Sequence, residues 1–249
     1  MTIPPGGATH TACAAADEAL TEAAFRTGDL ATAEQLFTEA RNLAARAGDL
    51  PAEAYAVGGL GMARHHRNIA RLVAGEALAD ADVAAEEKLM RHALSIWRET
   101  GDSAGTARGL FGMSLVFQVL RRDWNASMPY LWQAFGLADA VEESGDLYGR
   151  SEIHRHLGFY YLSEDVRPRE AVRQFGNSLA LRERLGDQRR IPSALVSLGE
   201  AEIAAGQPKQ AVGLLTRAVA QAREAGLLPW RVYSAEQALR EAEAALMAP

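Results

Sequence analysis

AVRQFGNSLALRERLGD, residues 171–187, is the stretch on which the fold turns. Its apolar residues recur at the spacing of one helix face, and the closing Gly186 suits the left-handed residue that ends a helix. AEQLFTEARNLAARAGD, residues 33–49, repeats the design. Sliding the chain against itself brings out Gly-Asp pairs at Gly48-Asp49, Gly101-Asp102, Gly145-Asp146 and Gly186-Asp187, with Gly226-Leu227 as a fifth equivalent. The intervals are 53, 44, 41 and 40 residues. Upstream of each pair lies another helical stretch ending at its own breaker, such as Gly28-Asp29 or Gly206-Gln207-Pro208. A period in this range, built from paired helices that cannot bury their apolar faces alone, signals a stacked helical repeat.

The residues within the period resemble tetratricopeptide repeats (TPRs), in which a Leu-Gly pair and a large residue on the first helix face a small–large–small set on the second. Leu157-Gly158 with Tyr161, then Ala171, Phe175 and Ser178, carry the resemblance best. Leu198-Gly199 with Ala211, Leu215 and Ala218 follows the same plan, as does Leu20 with Ala33, Phe37 and Ala40. Phe111-Gly112 and Leu115 are assigned Ala126, Tyr130 and Ala134 as partners, and Leu60-Gly61 is assigned Met90, Ala93 and Trp97. The resemblance covers roughly residues 14 to 226. It implies an all-α fold, a right-handed α-solenoid of about five TPR-like helix pairs plus a C-terminal capping helix. The expected organisation is a flexible leader over 1–13 and a single repeat domain over 14–249. Its units fall at about 14–49, 50–102, 103–146, 147–187 and 188–227, with a cap over 229–246. In the cap, Tyr233, Ala238, Leu239 and Leu246 are expected to cover the open end of the stack. The repeats are longer than the family's usual 34 residues. A helix from near Ala52 to Ala74 would run on the order of 35 Å and overhang its neighbours, leaving Ile69, Leu72 and Val73 to be covered, as a pocket wall or a homodimer contact would do.

Composition narrows the setting. Ala and Leu carry most of the apolar fraction, which favours helices because these side chains lose little freedom in them. No eighteen apolar residues run together, so no segment is suited to span a membrane. The first twenty residues lack the basic opening and apolar run of a secretion signal. Cys13 is the one cysteine, which rules out an intrachain disulfide and fits a reducing compartment, the cytoplasm. A net charge of -6 disfavours nucleic acid as a partner. The lysines are Lys88 and Lys209, so nearly all positive charge is arginine. Phosphate loops, dinucleotide fingerprints, nucleophile elbows and Cys-x-x-Cys pairs do not occur, and no cofactor is implied.

In TPR arrays the first helix of each pair lines the concave face. Projecting those helices turns Tyr55, Met62, His65 and His66 inward from the second unit, and Met113, Val116 and Phe117 from the third. Arg155, His156 and Phe159 follow from the fourth and Glu200 from the fifth, with Glu152 one turn before Arg155 and His156. Glu18, Glu22 and Arg26 belong to the first. Met and aromatic side chains offer an adaptable apolar floor, and Arg, His and Glu orient polar groups. Met62, Met113 and Phe117 equally suit packing between repeats. A shared metal is not expected: adjacent histidines diverge by about 100° on a helix, whereas a helix-borne metal pair needs i, i+4 spacing. Two basic runs stand out. RHHRNIAR, residues 64–71, reads as an anion-holding or solvated helix face, and Arg182, Arg184, Arg189 and Arg190 are expected to pair with Glu183 and Asp187 at a repeat junction.

Function is left with three readings. The leading one is a binding or scaffold module whose concave face holds a peptide or partner protein, on the analogy of the fold. The Lys/Asn clamp of chaperone-binding TPR proteins is missing, because the corresponding faces carry Met62, Phe117, Phe159 and Glu200. A second is a ligand sensor, since Arg-rich repeats with Gly-Asp ends look like the helical arrays of large bacterial transcription activators. The third is a cofactor-independent acid–base enzyme, a cyclase or isomerase acting on a small apolar metabolite through Tyr55, His65, His66, Glu152, Arg155, His156 and Glu200.

Overall fold

The computed structural model describes residues 7–140 and 146–247, and every described element is helical. Gly145 and residues 1–6, which entered the repeat and leader assignments, lie outside the described residues. The chain forms two compact units that meet between residues 145 and 146 in sequence, and each is described by itself.

The first unit holds α1 (Gly7–Glu22), α2 (Leu30–Ala47), α3 (Leu50–Val73), α4 (Asp80–Glu99), α5 (Ser103–Leu115) and α6 (Trp124–Ala140). Each helix packs on the next, and the first members of the pairs, α1, α3 and α5, also touch one another, which makes them an inner layer. Helix α1 begins at Gly7, so half of the expected leader is helix: Cys13 is fully buried, and Thr9 donates to the Asp49 carboxylate at 2.7 Å. Wider π-helical turns, Ala23–Thr27 and Val116–Leu120, end α1 and α5. Residues 74–79 connect α3 to α4 and are largely exposed, and Val73 is open to solvent beside them.

The second unit holds α7 (Leu147–Ser163), α8 (Pro168–Leu185), α9 (Ile191–Ala204), α10 (Pro208–Glu224) and α11 (Pro229–Met247). Here α7, α9 and α11 form the inner layer, with α8 between α7 and α9 and α10 between α9 and α11. Helix α11 packs on the stack, and of the four residues expected to cover it Ala238 is buried and Leu239 packs against the core, whereas Tyr233 and Leu246 do not. It buries Ala235, Ala238 and Ala242, while Tyr233 and Leu246 are 62% and 48% exposed.

The Gly-Asp pairs turn out to be two-part junctions. Gly48 and Gly101 take positive φ, 66° and 70°, which ends one helix without a Cβ clash. The following aspartate then starts the next helix: Asp49 accepts from the Ala52 N–H and Asp102 from the Gly105 N–H. Asp146 caps α7 in the same way through the Gly149 N–H. Asp187 departs from the pattern and accepts instead from the backbone and side chain of Arg189 and the side chain of Arg190.

Between the helices of a pair the large residue meets a glycine. A Cβ on Gly158 would lie 2.7 Å from the Phe175 ring, and one on Gly199 would lie 2.6 Å from Leu215. Two of the expected partner sets sit in a different register. In α6 the buried set is Ser127, Leu131 and Ala134, while Ala126 and Tyr130 are half-buried. In α4 it is Glu86, Met90 and Ala93, so a carboxylate fills the slot that Ala33, Ala171 and Ala211 fill elsewhere. Met90 lies between two glycines: an added Cβ on Gly61 of α3 or Gly112 of α5 would come within 2.7 or 2.6 Å of its sulfur. Gly112 thus faces α4 and not the α6 partner assigned to it. Trp97 remains core, packed with Ala54, Val57, Ala93 and Ile96.

Candidate functional site

In the first unit the expected inward residues divide by depth. Met113 is fully buried and Tyr55 is 3% exposed, with the Arg108 guanidinium 5.3 Å from the Tyr55 ring centre. Both are packed between helices. Met62 and His66 are half-buried, and Phe117 stacks on Tyr130 with ring centres 5.6 Å apart under the Arg121 guanidinium. His65 turns into the protein: its Nδ1 lies 2.8 Å from Glu86 Oε1, and Asn68 Nδ2 donates to Glu86 Oε2 at 2.9 Å. The misplaced glutamate and the histidine therefore satisfy each other, as buried polar groups must. The basic run around them is neutralised locally. Arg67 pairs with Glu34, and Arg71 donates to Glu76 and Asp82 at 2.9 and 2.7 Å.

The second unit gathers more charge. Arg182, fully buried in the last turn of α8, donates to the Arg190 carbonyl at 2.7 Å, to Ser193 Oγ at 2.6 Å and to Glu152 across on α7. It does not pair with Glu183, which holds Arg217 instead at 2.6 Å. Arg189 and Arg190 do pair with Asp187. The Arg190 guanidinium also lies 3.6 Å from the centre of the Tyr148 ring. Burial pushes Arg182 down to about 10, and the charge of Arg190 adds to the effect.

Next to this group stands Arg155. A quarter of its side-chain surface is accessible, yet Nε is buried with no hydrogen-bond partner, and Nη1 is 3.8 Å from Glu152 Oε2, too far for a hydrogen bond. Its guanidinium lies 4.7 Å from the centre of the Phe159 ring, which in turn meets Phe175 edge-on at 5.1 Å. Burial lowers the Arg155 pKa, with Tyr148 and then Glu200 acting the other way. Burial raises that of Glu200, against the pull of Arg155. From α11, Arg231 lies over Trp230 at 4.3 Å and is pushed down to about 10, first by burial and then by the charge of Arg155. His156 is buried with its ring edge on Phe159, and His154 Nδ1 lies 2.7 Å from Gln174 Oε1. The structure thus brings Glu152, Arg155, His156, Phe159 and Glu200 into one region of the second unit. It adds Tyr148, at the start of α7, and Arg182, Arg190 and Arg231, which the first-helix projection did not select because Arg182 and Arg190 belong to a second helix and its exit, and Arg231 to the cap.

Paired helices, small–large–small second-helix faces and glycine contacts define this as a TPR-like helical repeat protein. No family model matches the chain, and no curated protein matches it. Among solved structures, BtubC (BKLC) from P. vanneervenii aligns at 18% identity and TM-score 0.48, covering 88% of this chain and 92% of that one. The nearly identical TPR-like repeats of a Podosopora anserina kinesin light chain align at 15% identity and TM-score 0.49, covering 86% of this chain and 95% of that one. A single-substitution variant of those repeats reaches TM-score 0.51, again at 15% identity, covering 86% of this chain and 94% of that one. At this identity the likeness concerns the fold.

Proposed function

We propose that the chain is a binding or scaffold module that holds a peptide or a segment of a partner protein against its first-helix layer, in a reducing compartment such as the cytoplasm. One observation carries the reading: Arg155, Phe159 and Glu200 are half-buried on the inner helices α7 and α9, neither closed into the core nor left on an open face. Charged side chains held at that depth cost desolvation, and the cost is offset when a partner completes their contacts. The TPR-like fold supports an interaction role in general, because within a unit adjacent first helices together offer a surface wider than one helix. The acid–base reading gains nothing from His65, which is 3% exposed and engaged with Glu86. No described helix is long and apolar enough to cross a membrane.

The test is selection of a random peptide library on the full chain, followed by affinity measurements with Phe159→Ala and with Arg173→Ala, an exposed residue of α8. Selected peptides should lose tenfold or more in affinity with the first variant and keep it with the second. Peptides indifferent to Phe159 but sensitive to α8 would place binding on the other face and end this reading.

A further inference from the structure

Helix α9 has helices on both sides, α7 and α8 on one and α10 and α11 on the other, whereas α11 packs on α9 and α10 through one face. Its opposite face is open to water. Trp230 and Tyr233 are 40% and 62% exposed near its start and Met247 is 86% exposed at its end, with Gln237, Arg240 and Ala244 exposed between them. These residues fall at i, i+3, i+7, i+10, i+14 and i+17, a single stripe along the helix. The helix that ends a repeat stack ordinarily turns a polar face outward. This one turns out two aromatics and a methionine.

The spacing of the stripe says what fits it. Alternating steps of three and four residues read the same in both directions, so an antiparallel second copy of α11 brings every stripe position opposite another. Trp230 then faces Met247 of the second copy, Tyr233 faces Ala244, and Gln237 faces Arg240. Large side chains meet a flexible or a small one, and the polar pair lies at the centre. Within one chain Arg240 already donates to the Gln237 side-chain oxygen at 2.8 Å and lies 5.7 Å from the Tyr233 ring centre, so closing the interface orphans neither polar group.

Charge agrees with this pairing. Glu236 stands one turn before Arg240 on the same flank of the stripe, and the two-fold axis sets Arg240 of each copy beside Glu236 of the other. The same flank carries Glu243 and, from α10, Arg223, which donates to Glu236 at 2.6 Å, so it holds both signs in equal number. On the opposite flank Glu241 accepts from the Gln237 amide at 3.0 Å and comes level with Ser234 of the second copy. The 19 residues of α11 span about 28 Å, and two such helices side by side bury on the order of 1,000 Å² in all, the lower edge of a specific interface.

We propose that the outer face of α11 is a self-docking surface through which two copies of the chain associate tail to tail, antiparallel about a two-fold axis. The second copy's helix takes the place that a following helix takes beside α9. This surface is separate from the first-helix residues Arg155, Phe159 and Glu200, and the proposal stands or falls without them.

Sedimentation equilibrium of the full chain should show a reversible monomer–dimer equilibrium with a dissociation constant on the order of 10–100 µM, as suits so small an interface. Tyr233→Glu should weaken it roughly a hundredfold, because a carboxylate is then buried against Ala244. Arg240→Glu and Glu236→Arg each set like charges together twice and should each weaken it about tenfold or more. Mixed in equal amounts, those two variants should associate as tightly as the parent, because every contact between copies again joins opposite charges. Arg173→Glu, on α8, should change nothing. Circular dichroism checks that each variant stays folded, including Glu236→Arg, which gives up its surface pair with Arg223. A monomer throughout the range from about 1 µM to 1 mM, a hundredfold either side of the expected constant, overturns the proposal and leaves the stripe to a different protein. A dimer indifferent to Tyr233→Glu, or open-ended oligomers, also overturns it, and a mixture that associates no better than its components overturns the antiparallel pairing.

Discussion

Replacing His65 by Leu tests how the first unit tolerates a carboxylate in its core. Glu86 has no accessible surface and receives two hydrogen bonds, from His65 at 2.8 Å and Asn68 at 2.9 Å. His65→Leu removes one and leaves the carboxylate with Asn68 alone; breaking a buried pair from one side costs about 3–5 kcal/mol. Glu86→Ala restores the residue used in the equivalent slots of α2, α8 and α10, at a cost of about 1–3 kcal/mol for the donors it orphans. The double substitution removes both halves, so the losses should not add: His65→Leu/Glu86→Ala should be at least as stable as His65→Leu, with a coupling of about 1–3 kcal/mol. Urea denaturation followed by far-UV circular dichroism measures all three. Additivity within about 0.5 kcal/mol would show that the pair contributes no coupling and would refute the argument.

Four further outcomes are expected. Gly176→Ala should stabilise by up to about 1 kcal/mol, because nothing lies within 4 Å of its added Cβ, whereas Gly59→Ala drives a Cβ to 2.1 Å from Phe37 and should cost about 1–3 kcal/mol; thermal denaturation distinguishes the signs. Asp102→Ala should cost about 1 kcal/mol by uncapping α5, read from the same melts. Glu200 has its folded pKa raised by burial, so its stability contribution is present in acid and declines as pH rises through its folded pKa. Glu200→Gln should therefore gain stability over the parent at pH 7 and show no gain at pH 4. The Cys13 thiol is pushed up to about 11 by burial and then by Asp49 and Asp17, so disulfide-exchange labelling at pH 8 should run about a hundredfold slower in native than in unfolded protein; equal rates would mean that α1 is open.

The helix pairs were legible because glycine and small–large–small spacing are dictated by close packing, and packing constrains residue size. The same logic explains the errors. In α4 and α6 the true first positions are Glu86 and Ser127, polar residues that a search for apolar spacing passes over in favour of Trp97 or Ala126. Spacing by i, i+4, i+7, held fixed as in α2, α8 and α10, would have found both. The capping role of Asp49 and Asp102 was also readable, since each follows a helix-ending glycine and precedes a new helix. Projection along first helices turned Arg155, Phe159 and Glu200 inward, and the structure has them half-buried on α7 and α9. Arg182 and Arg231 were not selected, because their placement depends on how separate helices pack, and a single-helix projection carries no such information. In the cap Ala238 and Leu239 were legible, but Tyr233 and Leu246 were not the covering residues, because close approach of α11 is made by the small face of Ala235, Ala238 and Ala242.

The Gly-Asp junctions also decide where the chain can be cut or lengthened. At Gly48-Asp49 and Gly101-Asp102 the residue that stops one helix is bonded directly to the residue that starts the next, and an inserted residue would part the terminator from the cap. The stretch between Ala77 and Leu78 carries no such coupling. New termini for a circular permutant, or a fluorescent reporter, belong there, where the chain can be reopened while every junction keeps its stop and its start adjacent.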